Sequence, residues 1–264
     1  MKKYFTPFLV VLALGLAFFS GSMWQRVRNL ERGSNSNKTA TPTPKPVTSD
    51  TIKEAFAKAV IKFGEGSAKL IFTEISDPSC PYCSIAVGKN PKLNREASSP
   101  QYDFRLISDG GTFLAPVPEI KKLVDSGKAS YAVIYFPGHG SGELAMKALY
   151  CAFEEGKYWP VHDLLMSGAG YDLINNQVQN EKAKADLLTS FLKSAINSKT
   201  LKSCLDSGKY DGQIILEREL GANLIPAKGG TPTFYVNTIA FPGAHNFKDL
   251  EGAVKEALGE TPKP

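Results

Sequence analysis

The 264-residue chain is poor in the residues that build metal centres: four cysteines and three histidines in all. Cys80-Pro81-Tyr82-Cys83 is its one CxxC. Cys151 and Cys204 stand alone, so a structural zinc site lacks its second pair of ligands. His139, His162 and His245 are too scattered to make a ligand set, and His162 reads as a packing or capping residue. A basic face is also missing. Lys2, Lys3, Arg26, Arg28 and Arg32 against Glu31 carry nearly all of the net charge of +5. The rest of the chain is about neutral and offers nothing to hold a phosphate backbone, which excludes nucleic-acid binding. No internal repeat is present. Between residues 33 and 50 there is no large apolar residue except Val47, so this Pro-, Thr- and Ser-rich stretch reads as a semi-stiff linker.

Before that linker, residues 8–24 form an apolar run after Lys2 and Lys3, near the lower length limit for crossing a bilayer. Trp24 and the basic residues 26–32 fit an uncleaved signal anchor, while Ser20 and Ser22 fit a small-x-small cleavage site. Residues 1–32 are therefore read as a signal anchor or signal peptide with a basic flank, 33–50 as linker, and 51–264 as the folded domain. Either fate addresses the chain for export. The expectation is a membrane-anchored protein with its domain outside the cytoplasm, periplasmic or on the cell surface, and secreted if the signal is removed. Such a compartment suits lasting disulfides.

The CxxC follows the apolar run 70–75. Two cysteines three apart at the start of a helix can close a disulfide and reopen it. The positive helix end favours the thiolate of the first, the species that attacks or leaves a disulfide. The alternatives are half of a metal site or a purely structural pair.

In the domain, Ile52, Phe56, Val60 and Phe63 recur at helical spacing, with Gly64 as the stop. Residues 68–75 and 131–136 read as buried strands, 233–237 and 238–241 as a hairpin, and 247–258 as a closing helix. Helices are predicted over about 141–155, 160–166, 183–196, 201–206 and 211–220. Residues 86–118, broken by prolines and Gly110-Gly111, are least readable, with 102–107 as a candidate extra strand. The order β-α-β, helices, β-β-α implies an α/β fold with a central sheet covered on both faces. A helical subdomain is inserted at about 139–222.

These pieces resemble the DsbA-like thiol–disulfide oxidoreductases of the thioredoxin fold. The likeness rests on residues 74–83 ending in the CxxC and on Tyr135-Phe136-Pro137. It also rests on Cys151-Ala152 through Gly156-Lys157-Tyr158-Trp159, on residues 204–210, and on Gly230-Thr231-Pro232-Thr233-Phe234. It covers about residue 68 to the C-terminus. By resemblance, Cys80 is the exposed nucleophile, Cys83 its buried resolving partner, and Pro81 and Tyr82 tune the thiolate. Thr231 and a cis Pro232 offer backbone to an extended client, as strand addition does; the plain reading of Pro232 is a turn proline. Glu74 is the buried acid that exchanges a proton with Cys83; otherwise it is a solvent-facing glutamate. Cys151 and Cys204 are implied to form a structural disulfide, with two buried free thiols as the alternative. No cofactor or metal is implied.

The resemblance makes the chain a protein disulfide oxidoreductase that introduces disulfides into reduced or unfolded exported proteins, acts as a monomer, and is reoxidised by a membrane redox partner. Pro-Tyr between the cysteines departs from the Pro-His of strongly oxidising members, and the stretch between Cys83 and Tyr131 is longer than usual. The rival readings are a reductase or isomerase with the same site, and a non-enzymatic peptide-binding module. Residues 33–50 are too short and polar to supply the separate dimerisation domain common in isomerases.

Overall fold

Strands sit where β-branched and aromatic residues run together, and the longest such runs lie at the sheet centre. In the computed structural model, which describes residues 46–260, the sheet comprises β1 (Ile61–Phe63), β2 (Ile71–Ser76), β3 (Ser130–Tyr135), β4 (Thr233–Val236) and β5 (Ile239–Pro242). Their spatial order is β1-β3-β2-β4-β5. β2 and β3 pair in parallel, and the other neighbours are antiparallel. Every residue of β2, β3 and β4 is buried, as befits a sheet covered on both faces.

Side chains alternate across the sheet, which decides where the chemistry lies. Ile71 and Ile75 of β2, with Ala132 and Ile134 of β3, pack under Ile52 and Phe56 of α1 (Ser49–Lys58) and Leu224. Phe72, Tyr131, Val133 and Tyr135 point the opposite way, into the larger core that contains Cys80 and Cys83. Glu74, two residues from Phe72, shares that second face.

That face is covered by α2 (Pro81–Val87), α3 (Pro91–Glu96), α4 (Pro116–Asp125) and a helical block between β3 and β4. The block holds α5 (Glu143–Glu154), α6 (Tyr158–Leu165), α7 (Gly168–Asp172), α8 (Ala185–Phe191) and α9 (Ser198–Ser207), and ends in α10 (Asp211–Leu224), whose Leu220 and Leu224 pack instead with Ile71 and Ile75 on the first face. The chain closes with α11 (Phe247–Leu258), the span read from sequence.

Three local expectations differ from the structure. The first helix stops at Lys58, and Ile61–Phe63 become strand β1, because pairing with β3 and a bond from Val60 N to the buried Glu217 carboxylate outweigh a last helical turn. Residues 102–107 form no strand. They make one isolated bridge, Leu106 to Phe113, and a single 3-10 turn over Ile107–Asp109, since no neighbouring strand lies alongside. The helix expected over 183–196 is α8 with a 3-10 turn at each end.

The membrane-anchored placement is corrected. Among the described residues no helix is long and apolar enough to cross a membrane. The longest of them, α10, has 14 residues and carries Glu217, Arg218 and Glu219, short of the roughly 20 apolar residues a span requires. The run at residues 8–24, on which the expectation rested, lies outside the described residues, as do most of the signal and linker segments.

Candidate active site

A tight turn delivers Cys80 to the start of α2. Asp77, fully buried, accepts bonds on one carboxylate oxygen from Ser79 N (2.8 Å) and Ser79 Oγ (2.7 Å), and on the other from His139 N (2.7 Å). It thereby ties the turn before the cysteines to the loop after β3. Gly142 lies so close that a side chain there would collide with the Asp77 carboxylate. Sequence reasoning missed Asp77, although Asp-Pro-Ser before a helix is the pattern of an Asx-type turn.

Cys80 caps α2 in an extended conformation and Pro81 opens the helix, where its absent N–H leaves no bond unmade. Both cysteines are free thiols. The Cys80 sulfur donates to the Thr231 carbonyl at 3.1 Å, and Asp77 N donates to the Cys83 sulfur at 3.5 Å. A hydrogen bond from the Cys83 thiol, more than any other contact, pulls the Cys80 thiol down to about 6, against the opposing effect of burial; the Thr231 side chain and the backbone at Cys83 and Tyr82 assist. Burial, with Cys80 and then Glu74 adding to it, pushes the Cys83 thiol well up. The pair is thus polarised, with one thiol that ionises readily and one that resists.

Sequence reasoning expects an exposed Cys80. The structure instead leaves it 2 % exposed. Thr231 stands on one side, and the segment of α7 and the π-turn Leu173–Val178 on another. Asn175 Nδ2 donates to the Ser79 carbonyl at 3.2 Å. Burial and then the charge on Cys80 raise the Tyr171 phenol. Asn175, in the helical insertion, thus reaches the turn that precedes Cys80.

The Thr231–Pro232 peptide is cis, and it brings β4 beside the cysteine turn. Glu74 is buried, opposite Val133 and Phe234 in register, and not solvent-facing. Burial raises its carboxyl; a bond donated by the Tyr131 hydroxyl, then Ser76 and His162, pull the other way. Cys151 and Cys204 are bridged, joining α5 to α9 across a separation of 53 residues. Tyr82 is 46 % exposed and meets Phe104 edge-on at 6.0 Å.

That last contact marks one wall of a cleft of about 820 Å³ beside the cysteines. Tyr82, Tyr102, Phe104 and Phe113 supply aromatic surface, and Gly230 and Thr231 the opposite side. The irregular segment that was least readable in sequence therefore builds a recess next to the site. Phe104 organises it, meeting Tyr102 in a stack and Phe113 edge-on.

With the geometry in hand, comparison with known proteins places the chain. A family model described as Thioredoxin matches residues 116–256, which include Pro232 and both bridged cysteines but begin after the CxxC. Oxidised BdbD of Bacillus subtilis superposes with a TM-score of 0.51 at 21% identity, covering 78% of this chain and 95% of that one. Alpha-DsbA1 of Wolbachia pipientis gives 0.56 at 15%, covering 81% and 97%. Among curated sequences, the Na(+)/H(+) antiporter NhaA 3 of Salinispora tropica is 25% identical over 195 residues, 74% of this chain and 24% of that protein. The chain spans about a quarter of the length of the curated relatives it matches.

Proposed function

The chain belongs to the thioredoxin family, and from that premise we propose that it is a protein thiol–disulfide oxidoreductase that forms disulfides in reduced clients. Its fold is the one shared by the DsbA-type proteins it superposes on. One observation carries the reading: a cysteine sulfur at a helix start, 3.1 Å from the Thr231 carbonyl, backed by a second, fully buried cysteine.

In the working direction the Cys80–Cys83 bond is closed. A client thiolate attacks Cys80 Sγ, Cys83 Sγ leaves with the bonding pair, and a mixed disulfide joins the client to Cys80. Glu74, whose carboxyl burial raises, is the acid placed to supply the proton that the Cys83 thiolate needs. A second client thiolate then attacks the client sulfur, and Cys80 departs as thiolate. A thiol lowered to about 6 is a good leaving group at neutral pH, and stabilising the dithiol form makes the pair more oxidising. The Thr231 backbone and the neighbouring aromatic cleft suit an extended client with a large apolar side chain near its cysteine. A separate redox partner restores the Cys80–Cys83 bond.

Titration against glutathione buffers, with oxidative refolding of a reduced protein, tests this. A potential toward about −120 mV with net disulfide formation supports the reading; one near about −270 mV with net reduction overturns it. The close cover over Cys80 favours a second reading, a peptide-holding module without turnover, which a fully functional Cys80→Ser variant would support.

A further inference from the structure

Asp77 is a second buried acid at the site, and the exchange proposed for Cys80 and Cys83 gives it no part. Burying a carboxylate is costly unless donors surround it. Here they come from two directions. Ser79 N and Ser79 Oγ bond one oxygen from within the cysteine turn, and His139 N bonds the other from the loop after β3. Ser141 N adds a second tie between loop and turn, donating to Ser79 Oγ at 3.3 Å. Asn180 holds the loop in turn, donating to the Gly140 carbonyl and accepting from Leu144 N at 3.1 Å. The start of the loop presses on the cis-proline side, since a side chain at Gly138 would collide with Thr231.

The backbone of Asp77 reaches both cysteines. Its carbonyl accepts from Cys80 N at 2.9 Å, and its N–H donates to Cys83 Sγ at 3.5 Å. That N–H belongs to the Ser76–Asp77 peptide, whose carbonyl accepts from Phe136 N at 3.0 Å. A peptide unit is planar, so fixing its carbonyl at one end and the Asp77 side chain at the other leaves its N–H little freedom to turn. A donor held on a sulfur favours the charged form of that sulfur.

We propose that Asp77 is a positioning residue for the leaving sulfur: its carboxylate locks the cysteine turn to loop 137–142, and the locked turn aims the Asp77 N–H at Cys83 Sγ. The inference rests on the thiol–disulfide exchange assigned to this pair. When a client thiolate attacks Cys80 Sγ, the client–Cys80 bond forms, the Cys80–Cys83 bond breaks, and its electron pair stays on Cys83. The negative charge thereby moves from the client sulfur to Cys83, where the Asp77 N–H meets it without giving up its proton. In the reverse step the Cys83 thiolate attacks Cys80 and expels the client thiolate, so the same N–H raises the fraction of Cys83 ready to attack. Among titratable groups, Cys80 and Glu74 act on Cys83, Tyr131 feels the charge of Cys83, and Tyr135 feels that of Asp77.

The test mixes the reduced full chain rapidly with glutathione disulfide between about pH 6 and 10 and resolves two phases. The first forms the mixed disulfide at Cys80, and the second expels glutathione by attack of Cys83. Asp77→Ala is expected to slow the second phase about tenfold at neutral pH and to move its pH profile up by about one unit. The first phase keeps its midpoint near about 6. Asp77→Asn retains an acceptor for Ser79 and loses the one for His139 N, so its second phase should fall between the two. A merely structural role would lower the unfolding midpoint and leave the second-phase profile where it was, which overturns the proposal. Equal shifts in both phases overturn it too, because the turn has then only loosened. Should Asp77→Ala not fold, Asp77→Asn decides, and an unchanged second phase rejects the idea. If the unaltered chain and Cys80→Ser react alike with glutathione disulfide, the exchange reading fails and this inference with it. If the unaltered chain exchanges and the Asp77 variants match it, only the role of Asp77 fails.

Discussion

Two cysteine pairs in one chain behave in opposite ways, and their surroundings explain why. Cys151 and Cys204 sit on α5 and α9, far apart in sequence, and are bridged. Cys80 and Cys83 are separated by two residues, share one short helix, and are free. Around Cys80 there are groups that favour a thiolate: the Cys83 thiol, Thr231 and backbone N–H groups of α2. The bridged pair instead staples two helices of the insertion. The first pair has surroundings suited to exchange and the second to holding shape, and polarity plus chain topology makes the difference.

The largest effect should come from breaking the first pair. Cys80→Ser is expected to reduce exchange to background, while Cys83→Ser accumulates a mixed disulfide with client, seen on non-reducing gels. Alkylation of Cys80 should follow ionisation with a midpoint near about 6, against 9.0 for an unperturbed thiol. Because the folded value is the lower one, the stabilisation this thiolate gives the dithiol form is complete above pH 9.0 and is lost as pH falls through about 6. A midpoint above about 8 would remove the contrast between the pairs.

Breaking the second pair should leave the chemistry and weaken the fold. Replacing Cys151 and Cys204 together by alanine is expected to cost about 2–4 kcal/mol in denaturant unfolding, since a loop of this length is then free in the unfolded chain. Exchange at 25 °C should persist. Lost exchange with an intact fold would show that the two pairs communicate.

Glu74→Gln sharpens the comparison from below the active pair. A buried carboxyl raised above its ordinary value of 4.5 stabilises the fold only below that value and becomes a growing penalty as pH rises through its folded value. The variant should therefore melt higher than the unaltered chain at neutral and alkaline pH, with the gap closing in acid. A gap independent of pH would contradict the assignment. The smallest effect is expected for Tyr82→Ala. It removes one wall of the cleft and should weaken aromatic-bearing clients by about 0.5–1.5 kcal/mol, read as a rise in KM with kcat little changed.

Much of the frame was legible before the structure. The buried strands, the closing helix Phe247–Leu258 and the CxxC at a helix start all follow from local patterns of apolar residues, proline and turn residues. Other features were not local. Val60 and Ile61 carry a helical pattern but obey their partners Glu217 and Val133. Tyr102 to Leu106 have strand-like composition but no adjacent edge, and Tyr102, Asp103 and Phe104 line the cleft instead. Tyr131 and His162 look like packing residues until β3 and α6 bring them to Glu74. Asp77 acquires its role only because the loop after β3 returns to it.

By itself the chain determined which groups are available: two sulfurs spaced to meet across one helical turn, a proline that opens that helix, and an acid six residues upstream. Covalent spacing and backbone preference act over a few residues, so these can be read one residue after another. Only the tertiary structure decided that Glu74 is dry, that Thr231 touches Cys80, and that Asn175 of the insertion reaches the turn before Cys80. Those outcomes depend on residues 57 to 151 positions away in the chain, and burial and hydrogen bonding are set by such neighbours, not by sequence order.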